Sequence, residues 1–222
     1  DTSDLYGLGH SERLIGETFK DVRHQVVIAT KVGFLGGGGA DNFSPENVMR
    51  SVDASLKRLQ TDYVDLYQLH GPSIHSLEGD SRLFSVLNTL LENGKVRAVG
   101  ISVRSPDDGL TAAAELGFQA LEVNFNLIDQ RALGSGLLDL CRQEDVGVIA
   151  RTPLCFGFLT GAYSSDSKFD PADHRSTWPP EQIALWANAY HLFASVAGEN
   201  HGQTAAQIAL RFCLSYRGIS TV

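Results

Sequence analysis

Cysteine is scarce in this chain: Cys141, Cys155 and Cys213 are the only three among 222 residues. They are odd in number, far apart and without a CxxC pair. That excludes a disulfide framework and reads as small apolar fillers in a reducing, cytoplasmic compartment. Long apolar runs are missing too, and none approaches the roughly 18 residues that a membrane-spanning helix needs. Positive charge is in deficit. Against 26 Asp and Glu stand 18 Lys and Arg, for a formal net charge of −8. This balance argues against nucleic acid or an anionic membrane as the main partner. No GxxxxGKS/T pattern occurs, so glycines 36–39 read as a flexible loop and not a nucleotide cradle. His75, His174, His191 and His201 lack metal-ligand spacing, and no metal is expected. No linker-like shift or low-complexity tract interrupts the chain, so residues 1–222 are expected to form a single domain.

What is present is a regular alternation. With 43% hydrophobic and 20% charged residues, the chain can bury a sizeable core. Six short runs rich in β-branched residues read as strands: 26–32 (VVIATKV), 63–70 (YVDLYQLH), 96–103 (VRAVGISV), 120–125 (ALEVNF), 146–151 (VGVIAR) and 219–222 (ISTV). Their near-continuous apolarity fits strands buried on both faces of a parallel sheet. Helices are expected between them. Ser44-Pro45-Glu46 and Ser105-Pro106-Asp107 each put a capping hydroxyl before a proline at the first helical position. Thr204 and Gln207 fit a capping box. Val48, Val52, Leu56 and Leu59 recur at helical spacing. Further helices are expected over 12–20, 82–93, 133–143 and 181–197. The β-then-α order points to right-handed crossover units and fits either an open Rossmann-like sheet or a closed barrel.

Polar residues recur where the apolar runs stop. Lys31 ends the first run, His70 the second and Ser102 the third; Glu122 and Asn124 come late in the fourth, and Arg151 ends the fifth. In a barrel those ends share one mouth, where active sites are built. Phe34 and Trp178 lie in loops expected to face that mouth.

Specific motifs sit at these positions. Asp1 precedes Tyr6-Gly7 by five residues, and His10-Ser11-Glu12 follows. Ala29-Thr30-Lys31, Gln68-Leu69-His70-Gly71-Pro72, Val99-Gly100-Ile101-Ser102, Val123-Asn124-Phe125-Asn126-Leu127 and the stretch from Pro153-Leu154 through Gly157 to Leu159-Thr160-Gly161 complete the set. Together they resemble the aldo-keto reductase family over essentially the whole chain. The resemblance implies a (β/α)8 TIM-type barrel, a small-molecule carbonyl substrate, NADPH as cofactor, and Asp1, Tyr6, Lys31 and His70 as a catalytic tetrad. It also places Ser102 and Glu122 at the nicotinamide carboxamide, Arg151 where an aromatic residue commonly stacks, and Thr152, Pro153, Leu154, Gly157, Leu159 and Gly161 along the rest of the cofactor. Val103 stands where an asparagine is frequent, and Glu122 where a glutamine is. By the family's layout two strands precede Asp1 and a cofactor-gripping segment follows Val222, so about six of eight strands are expected in this chain.

The chemistry of these residue types agrees. A phenol, with a pKa of about 10, holds its proton at neutral pH and can act as a general acid. A neighbouring ammonium stabilises the phenolate left behind, and a carboxylate paired with that ammonium keeps it charged when buried. An imidazole can orient and polarise a carbonyl. A binding or regulatory module of the same fold, and a lyase or epimerase using the same tyrosine, are the competing expectations.

Overall fold

A computed structural model describes residues 1–35, 41–198 and 202–222, so the glycine run 36–39 and His201 lie outside the described residues. The chain packs into two compact units, Asp1–Val123 with Leu140–Gly147 and Asn124–Asp139 with Val148–Val222.

In the first unit the elements follow as α1 (His10–Phe19), β1 (Ala29–Val32), α2 (Pro45–Leu59), β2 (Val64–His70), α3 (Ile74–Leu77), α4 (Ser81–Glu92), β3 (Val96–Ser102), α5 (Pro106–Ala114) and the run into β4 (Ala120–Asn124). β1 to β4 pair in chain order and are all parallel, with Lys31 opposite Gln68, His70 opposite Ser102 and Ser102 opposite Glu122. Helices α2, α4 and α5 each begin where a side chain takes up a free backbone N–H. Ser44 Oγ accepts from Asn47 N at 3.3 Å and Ser105 Oγ from Asp108 N at 3.1 Å, each with proline at the helix start. Asp80 caps α4 by accepting from Leu83 N at 3.0 Å. The expected face of α2 (Val48, Val52, Leu56, Leu59) is buried. Helix α1 is locked down by a charge. Glu12 is fully buried, accepting from Thr30 Oγ1 and from Arg58 Nε, each at 2.6 Å.

The first strand is shorter than the sequence pattern suggests, starting at Ala29 and not at residue 26. The side chain of Asp65 stands where a strand partner would be. Its Oδ2 accepts from Ile28 N at 2.9 Å and from Arg23 Nη2 at 2.7 Å, and Val27 is left exposed.

The second unit continues with α6 (Arg131–Gly134), α7 (Leu137–Gln143, shared with the first unit), β5 (Gly147–Arg151), α8 (Pro180–Gly198) and α9 (Ala205–Leu214). One helix expected over 133–143 is thus two, broken at Gly136, whose φ of +81° is left-handed. The strand expected over 219–222 is reduced to a single bridge between Ile149 and Thr221. The capping box at Thr204 and Gln207 forms in both directions. Cys155, Leu159 and Ala209 make one small core, and Phe158, Ile183 and Ala187 another, with Trp178 and Trp186 packed against it. All three cysteines are buried and unpaired. No described helix is long and apolar enough to cross a membrane.

Candidate active site

The first unit gathers its polar side chains at the C-terminal ends of β1 to β4. Residues 1–4 lie along β1, with Thr2 N donating to Ala29 O at 2.9 Å and Asp4 N to Lys31 O at 3.3 Å. This places Asp1 against Lys31. The Lys31 side chain is fully buried, its Nζ hydrogen-bonded to Asp1 Oδ2 and, at 3.1 Å, to the carbonyl of Thr2. A second carboxylate reaches the same ammonium: Glu122 Oε2 lies 3.1 Å away and is itself buried. A buried lysine stays charged only when paired, and here two acids converge on it.

Tyr6 is 42% exposed. Its ring centre lies 5.4 Å from Lys31 Nζ, and its plane meets the His70 ring edge-on with centroids 6.1 Å apart. The Phe34 ring also meets the imidazole, tilted to it with centroids 5.2 Å apart. Asp1, Tyr6, Lys31 and His70 are therefore brought together, with Phe34 beside them.

Gln68 crosses this floor. Its Nε2 donates to Asp1 Oδ1 at 3.2 Å and to Glu122 Oε2 at 3.3 Å, while Oε1 is the one buried side-chain acceptor among the described residues without a partner. The crossing depends on Gly100. A Cβ there would stand 2.9 Å from Ala120 O and 3.2 Å from Gln68 Cγ, so a larger residue would push the amide aside. Ser102, fully buried, lies in register between His70 and Glu122. Val103 is buried as an apolar residue.

In the second unit Arg151 Nε donates to Asn124 Oδ1 at 2.8 Å, and Thr152 Oγ1 reaches the same oxygen at 3.2 Å. The turn that follows is backbone-strained: Thr152, Cys155 and Phe156 all have φ between +46° and +54°, a left-handed conformation unusual for residues with a Cβ. Gly157 and Gly161 are also left-handed. The space beside them is filled by tyrosine rings, with Tyr163 2.9 Å and Tyr190 2.8 Å from a would-be Cβ. Leu154 and Leu159 pack in the core around Cys155, and Pro153 is half-buried. Trp178 joins the aromatic cluster of Phe156, Phe158 and Trp186.

Two residues of the first-unit site escape sequence reasoning. Gln68 carries a signal, since a glutamine inside an apolar strand, two residues before His70, shares its face. Ser3, whose Oγ lies 3.3 Å from His70 Nδ1, has none beyond lying between Asp1 and Tyr6. Among the described residues no group of His, Cys, Asp and Glu could hold a metal ion.

Parallel strands joined by helices, with acid, base and phenol collected at the strand ends, define an α/β protein of the TIM-type barrel class. The family model for aldo/keto reductases matches residues 1–222, and the chain belongs to that family. An aldo-keto reductase of Schizosaccharomyces pombe, yakc, named for NADP(+), is 32% identical over 82% of this chain and 55% of its own length. The NADH-specific methylglyoxal reductase of Escherichia coli is 32% identical over 75% of the chain and likewise 55% of its own length. The solved glycerol dehydrogenase AKR11B4 of Gluconobacter oxydans superposes with a TM-score of 0.80 at 26% identity, covering all of this chain and 70% of that one. The chain thus spans little more than half the length of these two curated relatives.

Proposed function

We propose that the protein reduces an aldehyde or ketone, such as a keto-sugar, to an alcohol with NADPH in the cytoplasm, and that Tyr6 gives the proton. The observation that carries this reading is the buried Lys31 ammonium, held by Asp1 with the Tyr6 ring 5.4 Å from it. Bound NADPH supplies the hydride. The chain supplies the proton and the field around it. Transfer of the phenolic proton to the carbonyl oxygen leaves a phenolate, which a nearby cation stabilises. Asp1 and Glu122 keep that cation charged and in place. His70, edge-on to Tyr6, is positioned to orient the carbonyl and share its developing negative charge.

The residues fit the cofactor's amide end. Gln68 Oε1 is a buried acceptor without a partner, at a cost of about 1–3 kcal/mol, and a carboxamide NH₂ brings the donor it lacks. Ser102 and Glu122 lie at the neighbouring strand ends. In the second unit we assign Arg151 and the turn after it cofactor contacts of their own. One relative is named for NADP(+) and another for NADH, and the choice of NADPH here rests on the sequence resemblance.

The test is a spectrophotometric assay of the full-length protein, following nicotinamide absorbance near ~340 nm with aldehydes, ketones and keto-sugars and with each cofactor in turn. Tyr6→Phe is expected to lower turnover by roughly 10²–10⁴-fold while NADPH still binds. A Tyr6→Phe enzyme with undiminished turnover would remove Tyr6 from this role. Tight NADPH binding without turnover of any carbonyl would favour a binding module.

A further inference from the structure

Ser3 is a fully buried hydroxyl with three polar neighbours. Leu5 N donates to its Oγ at 3.2 Å, Asp4 Oδ1 lies 3.2 Å away as the acceptor of its proton, and His70 Nδ1 lies at 3.3 Å. A hydroxyl has one proton and two lone pairs. Leu5 N–H occupies one lone pair, and an ionised Asp4 takes the proton. One lone pair remains, and the only bond His70 Nδ1 can make to it is as an N–H donor.

We propose that Ser3, held by Asp4, is a positioning residue that fixes the neutral His70 ring with its proton on Nδ1. The proposal rests on the reading of His70 as the group that meets the carbonyl. With Nδ1 committed to Ser3, any hydrogen bond from the ring to substrate comes from Nε2. That nitrogen carries a proton only when the ring is an imidazolium, or when Asp4 is protonated and the chain reverses, with Asp4 donating to Ser3 and Ser3 to Nδ1. Asp4 lies among charged and titratable groups. Glu12 and Arg58 act on it with opposite sign, Tyr67 feels its charge, and His70 closes the chain through Ser3. Burial, and after it Glu12, raises its carboxyl from the ordinary aspartate value.

Long-range ¹H–¹⁵N spectra of the full chain labelled with ¹⁵N-histidine read the tautomer directly, at neutral to mildly alkaline pH and with neither substrate nor cofactor. His70 is assigned from a His70→Gln control. The expected result is Nδ1–H in the wild type, with the ratio of Nε2–H to Nδ1–H rising roughly fivefold or more in Ser3→Ala, the effect of losing one hydrogen bond. Asp4→Ala, which removes the acceptor and frees the Ser3 proton, is expected to move the ratio the same way and decides the matter if Ser3→Ala does not fold. An Nε2–H ring in the wild type, or an unchanged ratio in the folded variants, overturns the proposal. Because no substrate is present, that outcome leaves carbonyl reduction standing. A wild type that reduces no carbonyl leaves the tautomer result standing.

Discussion

Glu122 Oε2 lies 3.1 Å from Lys31 Nζ, and both side chains are buried. With Asp1 on the same ammonium, the three charges sum to minus one inside the strand ends. A neutral amide at position 122 would leave them balanced, so the glutamate makes this floor more anionic than a lysine–aspartate pair alone.

Glu122→Gln is therefore expected to keep the fold with a loss of about 1–3 kcal/mol, since one charged hydrogen bond of two on Lys31 is weakened. Chemical denaturation of the two proteins checks this. Equal stability would mean that Glu122 does not help to hold the buried ammonium.

Gly100→Ala should mimic part of that effect without touching a charge. The added methyl meets Ala120 O and Gln68 Cγ, displacing the amide that joins Asp1 to Glu122. Overpacking of this kind costs about 1–3 kcal/mol. Chemical denaturation measures it, and Gly100→Ala combined with Gln68→Ala should be less than additive. Full additivity would separate the two positions.

The cysteines are expected to be inert. Burial pushes the Cys155 thiol up to about 12, and those of Cys141 and Cys213 up to about 11, so little thiolate exists near pH 8. Native protein should react negligibly with a thiol reagent there, and all three cysteines should react once unfolded. Rapid labelling of one thiol in folded protein would show that its burial is transient.

Asp4 gives a stability signature with a definite sign. Burial and Glu12 raise its folded-state value above 3.8. Between 3.8 and that raised value the native state binds more protons than the unfolded one, so this group's contribution to stability falls as pH rises through the window. In Asp4→Asn that slope is absent. Denaturation curves collected from below 3.8 upward should show the variant gaining on the wild type as pH increases. A constant difference would mean that Asp4 titrates alike in both states.

Much of the architecture was legible along the chain. Ser44, Ser105 and Thr204 announced their helices because a cap acts within three residues of itself. Lys31, His70 and Ser102 announced a site because each ends an apolar run, and parallel strands deliver such ends to one side. Local signals failed where a distant side chain intervened. Asp65 substitutes for a strand partner at Ile28, which shortened the first strand. The run 219–222 was apolar enough for a strand yet forms one bridge, because pairing is decided by neighbours and not by propensity.

The sequence by itself determined the strand–helix alternation, the residue types gathered at the strand ends and the family they resemble. Tertiary structure alone decided what those residues touch. Ser3 and His70 are 67 positions apart, and Gln68 and Glu122 are 54 apart. Whether a glutamate there meets a cofactor or a lysine depends on strand register and on the absence of a side chain at Gly100. Composition and periodicity report the environment of a residue averaged over its own element. Hydrogen-bond partners are set by tenths of an ångström between elements brought together only by folding.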